Sequence, residues 1–357
     1  MKNLLVYYAP TLTTKLEDIP LPSYAPNELL IKVLAAGSNP KDWKHPHPTF
    51  FNICVNQGDD VAGIVSAVGS AVKNFRPGDR VAGMHVMDTP HGTYAEYTVC
   101  PENTVFHIPE SFGWEEAATI PLAMYTAAVG LYRNLNLPLP TARSDEESAV
   151  QKIPLVINGA SSAVGAFALK LAKLSPSIGP IIVTAGSSAS YVESIGGADV
   201  ILDYRSPSIA SELRKALDGK KLFHVFDASN SLASVGYLTE VLEPTGRYTC
   251  TTAVGKSFYS PIGEQQIALE KWGGWFEQIW VGSIHEDKLL GGIWFGSVVS
   301  RLVEVLLEEG MFSGHVYEIV EGGLHGVEAA LIKLRDRKGG NEKFVTRIGD
   351  TVGVESS

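Results

Sequence analysis

The sequence has 357 residues, enough for about two domains, and its 45% hydrophobic and 19% charged residues exclude a disordered chain. The 39 acidic residues outnumber the 29 basic residues, and the net charge of −10 argues against a nucleic-acid-binding surface. Three widely spaced cysteines exclude a disulfide framework, and no apolar run approaches the roughly 18 residues of a membrane span, so a cytoplasmic protein is expected.

Residues 1–110 are predicted to be rich in β-strands. Short apolar runs at residues 29–33 and 61–68 lie between turn residues, and no helical period is sustained. This pattern predicts a small barrel or sandwich of short strands. Residues 115–131 then have a helical composition interrupted by Pro121, and the polar residues 141–152 are predicted to form a solvated loop.

Strands and helices are predicted to alternate from residue 155 onward. The predicted strands are apolar runs, at residues 155–157, 181–184, 200–202, 222–226, 247–251 and 279–283. Helices between them are marked by apolar residues at i, i+3, i+4 and i+7, and two further helical stripes follow at 299–306 and 327–334. Because parallel neighbours need helical crossovers, this alternation predicts a parallel, doubly wound sheet.

A strand, a turn of small residues and a helix start are combined in residues 155–165. Gly159 allows a tight turn, small residues let the backbone approach a pyrophosphate, and Gly165 lets the helix pack closely, a variant of the G-x-G-x-x-G fingerprint. The helix N-terminus would then hold the anion. The predicted dinucleotide contacts are Gly159, Ser161, Ser162, Ala163, Val164 and Gly165. The alternative is an ordinary tight turn.

The end of the second strand of this sheet indicates which dinucleotide is bound. An enzyme that uses NAD would carry Asp or Glu about 20 residues past the motif. Residues 185–188 read Ala-Gly-Ser-Ser, and no acid occurs before Glu193. Because hydroxyl groups can donate to a 2′-phosphate, we predict NADPH as the cofactor. The predicted phosphate contacts are Ser187, Ser188 and Tyr204, with Arg205 as a nearby cation. Alternatively, the serines only cap the next helix.

Several further stretches resemble the medium-chain dehydrogenase/reductase superfamily. They are N-P-x-D-x-K at 39–44, G-D-D-V-A-G at 58–63, P-G-D-R-V at 77–81, G-T-Y-A-E-Y at 92–97 and K-F-V at 343–345. The resemblance implies an α/β fold, with a GroES-like β-barrel catalytic domain and a Rossmann domain with a doubly wound parallel sheet. We accordingly expect the catalytic domain at 1–120, the Rossmann domain at 121–295, and a return to the catalytic domain at 296–357.

The departures from the zinc enzymes of this superfamily concern the metal. Asn39 stands where those enzymes have a cysteine, and Asp59 and Asp60 replace their His-Glu pair. Asn is a poor zinc ligand, and the lobe of four cysteines is missing. The histidines nearby match no known metal site and are predicted to be surface or loop residues, namely His45, His47, His85 and His91. We predict no metal.

Within the superfamily, the chain most resembles fungal zinc-free reductases. These include quinone oxidoreductase-like enzymes and trans-acting enoyl reductases that serve polyketide synthases, so the resemblance implies reduction of an activated C=C bond or a quinone. It implies catalytic roles for Lys44 and Thr126, and cofactor contacts at Pro40, Asp42, Thr251, Lys343 and Phe344. Lys44 could instead be a surface lysine, and the Thr126 hydroxyl could bond back to its own helix. Phe50 and Phe51 lie where some enoyl reductases carry a tyrosine, so solvent is expected to supply the proton.

Three functions remain open from the sequence. The first is an NADPH-dependent enoyl or quinone reductase that acts on a small molecule, with a polyketide synthase or another biosynthetic enzyme as a possible partner. The second is an alcohol dehydrogenase, which the missing zinc ligands disfavour. The third is a non-catalytic NADPH-binding partner of a synthase; a methyltransferase is improbable. The aromatic residues 272–276 are expected in a core or interface, or else along a substrate channel.

Overall fold

The computed structural model describes residues 1–48, 50–140, 152–229, 231–251, 264–286, 291–336, 338 and 340–354. The chain forms two compact units. The first comprises Met1–Leu122 and Gly282–Ser357, and the second comprises Ala123–Val281. The chain thus returns to the first unit before residue 296, where the return was expected. Most of the predicted polar loop, residues 141–151, lies outside the described residues.

The N-terminal part of the chain consists mainly of short strands. Its elements are β1 (Lys2–Tyr8), β2 (Leu12–Asp18), β3 (Glu28–Gly37), α1 (Lys41–Lys44), β4 (Asp60–Val68), β5 (Arg80–Met84), β6 (Tyr97–Pro101), β7 (Val105–His107), α2 (Trp114–Ala117) and α3 (Pro121–Ala128). The predicted helical segment is therefore split at Pro121. Proline suits this first position of α3 because the missing N–H would have no helical acceptor there.

The second unit contains the predicted alternation. Its elements are β8 (Ile153–Asn158), α4 (Ala163–Ala172), β9 (Ile178–Ala185), α5 (Ala189–Ile195), β10 (Val200–Asp203), α6 (Ile209–Leu217), β11 (His224–Asp227), α7 (Leu232–Val241), β12 (Arg247–Cys250), α8 (Glu264–Trp272) and β13 (Trp275–Gln278). All pairings are parallel, in the order β10-β9-β8-β11-β12-β13. This is the doubly wound order, in which β8, the first strand of this unit, lies in the middle of the sheet.

The sixth strand of this sheet differs from the prediction. The apolar run at 279–283 was expected to form it, but the strand is Trp275–Gln278. Ile279 and Val281 are buried without being in a strand, and a 3₁₀ helix covers Val281–His285. Hydrophobicity alone therefore misplaced the strand. Of the aromatic residues there, Trp272 and Phe276 pack on the core of this unit, while Trp275 is exposed.

The C-terminal part of the chain completes the first unit. Its elements are α9 (Gly292–Glu308), β14 (Tyr317–Val320), α10 (Val327–Arg335) and β15 (Lys343–Arg347). A seven-stranded sheet has the order β14-β15-β3-β4-β5-β7, and β6 also pairs with β3. Its core includes Leu29, Ile31, Val61 and Val81, with Leu331 of α10 packed against them. Within the described chain, no helix is both long enough and apolar enough to cross a membrane.

A histidine held between two carboxylates fixes α9 to this sheet. Nδ1 of His107 lies 3.0 Å from Glu304 of α9, and Nε2 lies 3.2 Å from Asp79, which precedes β5. The hydrogen bond to Glu304 raises the pKa of His107, although burial acts against it. Burial acts to raise the pKa of Glu304, but its hydrogen bonds with His107 hold it below the usual value. The three groups therefore stabilise one another when all are charged.

Replacement of this histidine should destabilise the protein in a pH-dependent way. His107→Gln should lower the free energy of unfolding more at about pH 6 than at about pH 9. The reason is that the raised pKa of His107 gives stability that is lost as the pH rises through the folded-state pKa, while both carboxylates stay ionised. Urea unfolding at the two pH values measures this. The exposed His325→Gln is the control, and an equal penalty for His107→Gln at both pH values would contradict the prediction.

Candidate functional site

The predicted dinucleotide turn joins β8 to α4 in the second unit. Gly159 has a φ of +76°, and a Cβ on Gly165 would lie 2.2 Å from the Gly159 carbonyl oxygen. The Ser162 hydroxyl caps α4, since it accepts from the Gly165 N–H at 3.1 Å and donates to the Gly159 carbonyl at 2.8 Å. Ser162 therefore shapes the turn with its side chain.

Free backbone donors remain at this turn. The N–H groups of Ser161, Ala163 and Val164 bond to no acceptor in the described part of the chain. They lie at the N-terminus of α4, where the helix dipole favours an anion. The close approach at Gly165 leaves a cradle that a larger residue would fill. These residues fit the pyrophosphate of a dinucleotide.

A buried polar network supports the turn from below. Asn158, the last residue of β8, donates to Asp227 at 2.7 Å and accepts from Tyr237 at 2.6 Å and Thr184 at 2.5 Å. The Thr184 hydroxyl also accepts from the Gly159 N–H at 3.1 Å. The network joins the carboxyl ends of three parallel strands and makes the turn rigid. These residues were not predicted from the sequence, in which their signal is a polar side chain at the end of an apolar strand.

Asp227 is completely buried and accepts further hydrogen bonds. Its donors include the Ser234 hydroxyl at 2.7 Å, the Tyr248 phenol at 2.5 Å, and the N–H and hydroxyl of Ser229 at 2.9 and 3.1 Å. Burial raises the pKa of Tyr248, so its phenol stays a donor. Thr251, which follows β12, donates from its hydroxyl to the Ala228 carbonyl at 3.0 Å and so lies beside this network.

The predicted 2′-phosphate contacts meet at the carboxyl ends of β9 and β10. The Tyr204 ring packs against Gly186, where a Cβ would lie 2.9 Å from a ring carbon and 3.3 Å from the phenol oxygen. Ser188 is at the N-cap position of α5, but its side chain makes no capping hydrogen bond. Ser187 is exposed. The alternative in which the serines serve as caps is therefore not supported by the side chain of Ser188.

An acidic residue does lie near this point, although it is distant in sequence. Asp203 pairs with Ala185 in the parallel register of β10 and β9. Its carboxylate is held by Arg205, with distances of 2.9 and 2.7 Å to Nε and Nη2. These hydrogen bonds lower the pKa of Asp203 to about 2. The predicted cation is thus already paired with an acid that the count along the sequence did not reveal.

In the first unit, the positions that would hold zinc form a buried ion pair instead. The Lys343 ammonium lies 2.5 Å from Asp60 Oδ2 and 3.1 Å from Asn39 Oδ1. The Asn39 amide donates to Asp60 at 2.8 Å, and the Leu122 N–H donates to its other oxygen at 2.6 Å. Lys343, predicted to contact cofactor, is 4% exposed and has its charge committed to Asp60.

This donor set does not fit zinc. Around Asp60 it supplies one carboxylate, one amide and an ammonium, and Asp59 is ion-paired with Lys41. Zinc takes thiolate, imidazole or carboxylate ligands, and an ammonium has no lone pair to offer. Among the described residues, no group of three or more His, Cys, Asp or Glu side chains is arranged to hold a metal ion. The positive charge that Asp60 needs comes from the chain itself.

A second buried ion pair lies beside the first. Lys41 contacts Asp59 at 2.5 Å, and Asp59 also lies 3.0 Å from Nδ1 of His85. His85 is 2% exposed, and its Nε2 lies 2.9 Å from the Pro90 carbonyl. His85 lies in the loop directly after β5, as one of its two predicted positions allowed, but it is not a surface residue because it is the buried partner of a carboxylate. His45 is also buried and lies 2.7 Å from Asp88.

Asp42 is buried in the same region. It accepts from the Asn39 N–H at 2.8 Å and from the Tyr94 phenol at 2.7 Å, and Tyr94 also lies 2.8 Å from the Ser38 hydroxyl. Burial raises the pKa of Asp42 to about 7, although Lys41 acts to lower it. Asp42 was predicted to contact the cofactor; the contacts observed here fix the turn between β3 and α1, which contains Asn39.

The remaining predicted residues occupy varied positions. Pro40 precedes α1 at its N-cap position, and Lys44 ends this helix, with its ammonium 5.7 Å from the Trp43 ring centroid. Thr126 is buried in α3. Phe344 is 1% exposed and packs with Val320 and Ala330, so its side chain belongs to the core.

Comparisons with known proteins agree with this architecture. Residues 25–110 match the alcohol dehydrogenase GroES-like domain. The trans-enoyl reductase fsr4 of Gibberella fujikuroi is 38% identical, covering 91% of this chain and 92% of that protein. The trans-enoyl reductase resD of Aspergillus sclerotiorum is 31% identical, covering 96% and 99%. The quinone oxidoreductase of Coxiella burnetii, at 22% identity, has a TM-score of 0.72 over 97% of this chain and 99% of that chain.

A GroES-like unit joined to a doubly wound parallel sheet defines a medium-chain dehydrogenase/reductase, an oxidoreductase that uses a nicotinamide cofactor. Within this class, the two trans-enoyl reductases are each more than 30% identical to this chain over more than nine-tenths of its length. This chain belongs to the trans-enoyl reductase family.

The close approach at Gly165 makes a sharp prediction about cofactor binding. Gly165→Ala should weaken binding of a nicotinamide dinucleotide by roughly tenfold or more, because the added Cβ would collide with the Gly159 carbonyl and distort the turn. Quenching of intrinsic fluorescence on titration measures the dissociation constant. The matched control is Gly236→Ala in α7, where no atom lies within 4 Å of the new Cβ and binding should not change. Equal affinities for the two variants would contradict the prediction.

The buried ammonium makes a second prediction. Lys343→Met should lower the free energy of unfolding by about 3–5 kcal/mol, because it leaves the Asp60 carboxylate buried without a cation. Chemical denaturation measures this, and Lys343→Arg should retain part of the stability. The control is Lys333→Met, since Lys333 pairs with Glu318 where both side chains are about half exposed and should contribute about 1 kcal/mol or less. A loss as small as that of the control would show that Asp60 needs no cation.

Proposed function

We propose that this protein reduces the C=C bond of an α,β-unsaturated acyl thioester, with NADPH as the reductant. The observation that carries the proposal is the Asp60–Lys343 ion pair, which occupies the position of the zinc ligands with a donor set that does not fit zinc. An isolated carbonyl group is a poor hydride acceptor unless a Lewis acid polarises it. A conjugated C=C bond delocalises the incoming charge onto its carbonyl oxygen and has less need of one.

The roles of the chain follow from the contacts described above. NADPH, when bound, supplies the hydride. The turn at Gly159–Gly165 would hold its pyrophosphate through the backbone donors of Ser161, Ala163 and Val164. Lys44 and Thr126 are the polar side chains that we propose beside the reacting groups. Their task is to orient the substrate and exclude water, while solvent supplies the proton.

Three features support NADPH over NADH. The Tyr204 phenol lies beside Gly186, and the hydroxyls of Ser187 and Ser188 are close by in sequence, so three donors are available for a 2′-phosphate. The acid of this region, Asp203, is neutralised by Arg205 and does not present an unpaired charge to a phosphate. Arg205 also adds a positive charge to this region while it is paired with Asp203, and both side chains are about half exposed.

We further propose that the substrate is carried by a polyketide synthase. The support comes from the relatives, since both proteins named above are trans-enoyl reductases and match over nearly the full chain. The thioester of a carrier-bound acyl chain is the activated carbonyl that the proposed chemistry requires.

The test is turnover of the purified protein with a panel of acceptors. NADPH consumption should be rapid with an enoyl thioester and an enone, and slow with a saturated aldehyde, because only the first two delocalise the charge. Mass spectrometry of the product should show two added hydrogens. Turnover with quinones alone would overturn the enoyl assignment. Tight NADPH binding without turnover on any acceptor would favour a non-catalytic partner of a synthase.

The cofactor arm of the same test uses a single hydroxyl. Tyr204→Phe should weaken NADPH binding by roughly tenfold and leave NADH binding unchanged, because the phenol would donate only to the 2′-phosphate. Tyr317→Phe is the control, since Tyr317 is a similarly exposed tyrosine in the first unit. Equal affinity of the wild type for NADPH and NADH would contradict the proposed preference.

A further inference from the structure

His285 is a partly exposed histidine whose ring nitrogens are buried, and the interactions described so far leave it unused. Both of its ring nitrogens are shielded from solvent, and neither forms a hydrogen bond with any described residue. A buried imidazole without partners loses the hydrogen bonds that it makes with water in the unfolded chain, which is costly and uncommon. Such a group is a candidate for binding a ligand.

The backbone around His285 is held firmly. The Ile284 carbonyl accepts from the Asn103 amide at 2.8 Å, and the Ile284 side chain is fully buried. On the other side, Gly292 comes so close that a Cβ there would lie 2.0 Å from the Ser283 carbonyl oxygen. The ring is therefore presented from an anchored position, as is needed for a preorganised donor.

Asp59 and His85 are the charged or titratable groups that act on His285. They are committed to each other, with 3.0 Å between Asp59 Oδ1 and His85 Nδ1. Burial lowers the pKa of His285 to about 4, with Asp59 acting to raise it and His85 to lower it. The imidazole is therefore neutral near pH 7, with one N–H donor and one acceptor nitrogen.

A neutral N–H donor suits an oxygen on which negative charge develops. When a C=C bond conjugated to a carbonyl accepts a hydride at its β-carbon, the displaced π electrons move onto the carbonyl oxygen and form an enolate. A proton from solvent then adds to the α-carbon and restores the carbonyl. A fixed donor gains most interaction energy at the stage when the oxygen carries charge, and so accelerates the reaction.

We propose that His285 is a catalytic residue whose ring N–H donates a hydrogen bond to the substrate carbonyl oxygen as it becomes the enolate oxygen. This inference rests on the proposed enoyl reduction, and in it His285 neither gains nor loses a proton. The residue keeps partial exposure.

The test compares three variants of this residue. His285→Leu removes the donor, and kcat with an enone and NADPH should fall on the order of 100-fold with little change in KM. Its thermal unfolding midpoint should stay the same or rise, because an unpaired buried polar group is lost. His285→Asn and His285→Gln place an amide N–H near the positions of Nδ1 and Nε2, and one of them should restore part of kcat.

The exposed His325→Leu is the control, and its kcat should equal that of the wild type. If the wild type turns over no activated alkene, the proposed function fails and this inference fails with it. If the wild type is active, two results overturn the role of His285 alone. The first is an unchanged kcat in His285→Leu. The second is a loss of kcat together with a lower unfolding midpoint that neither amide variant reverses.

Discussion

A carboxylate that is removed from water must be given a cation or donors, and this constraint shapes the first unit around Asp60. Its two oxygens receive the Lys343 ammonium, the Asn39 amide and the Leu122 N–H. These groups come from the start of β15, the turn after β3 and the start of α3, so a single charge holds together segments that are far apart in the chain. A bound metal ion would also neutralise this carboxylate, but here the Lys343 side chain supplies the positive charge.

In the second unit, a buried carboxylate is stabilised by neutral hydrogen-bond donors. Asp227 is as completely buried as Asp60, yet its donors include hydroxyls, a side-chain amide and a backbone N–H. This network ends at Thr184 and Asn158, directly beneath the Gly159 turn. Its effect is to make a glycine-containing turn rigid, so that the donors above it are aligned before an anion arrives. Preorganisation of this kind reduces the entropy that binding must overcome.

The hydrogen bonding of His285 differs from that of the buried carboxylates in these two networks. The buried carboxylates Asp60, Asp227 and Asp42 each accept two or more hydrogen bonds. The imidazole of His285 differs from them, because neither of its ring nitrogens has a hydrogen-bond partner among the described residues and its backbone is firmly anchored. Folding stability alone does not explain such a residue, whereas a donor reserved for a substrate oxygen does. The chemistry that we propose for the protein needs such a donor at the point where an enolate forms.

Periodicity and local turn chemistry, which depend on neighbours in the chain, were enough to predict the two architectures, the strand–turn–helix at Gly159–Gly165 and five of the six strands of the parallel sheet. The resemblance of short motifs was enough to predict the family. Contacts between distant segments could not be predicted from these local patterns. They arise only when the strands are brought together, as in the pairing of Asp203 with Ala185, the burial of His85 against Asp59 and the ion pair of Lys343 with Asp60. The sixth strand shows the same limit, since an apolar run at 279–283 is equally compatible with a strand and with the buried 3₁₀ turn that the tertiary packing selects. The burial of a side chain and the partner of its charge depend on residues that are distant in sequence but close in space. Only the tertiary structure therefore decided which predicted residues are available to a ligand and which stabilise the fold.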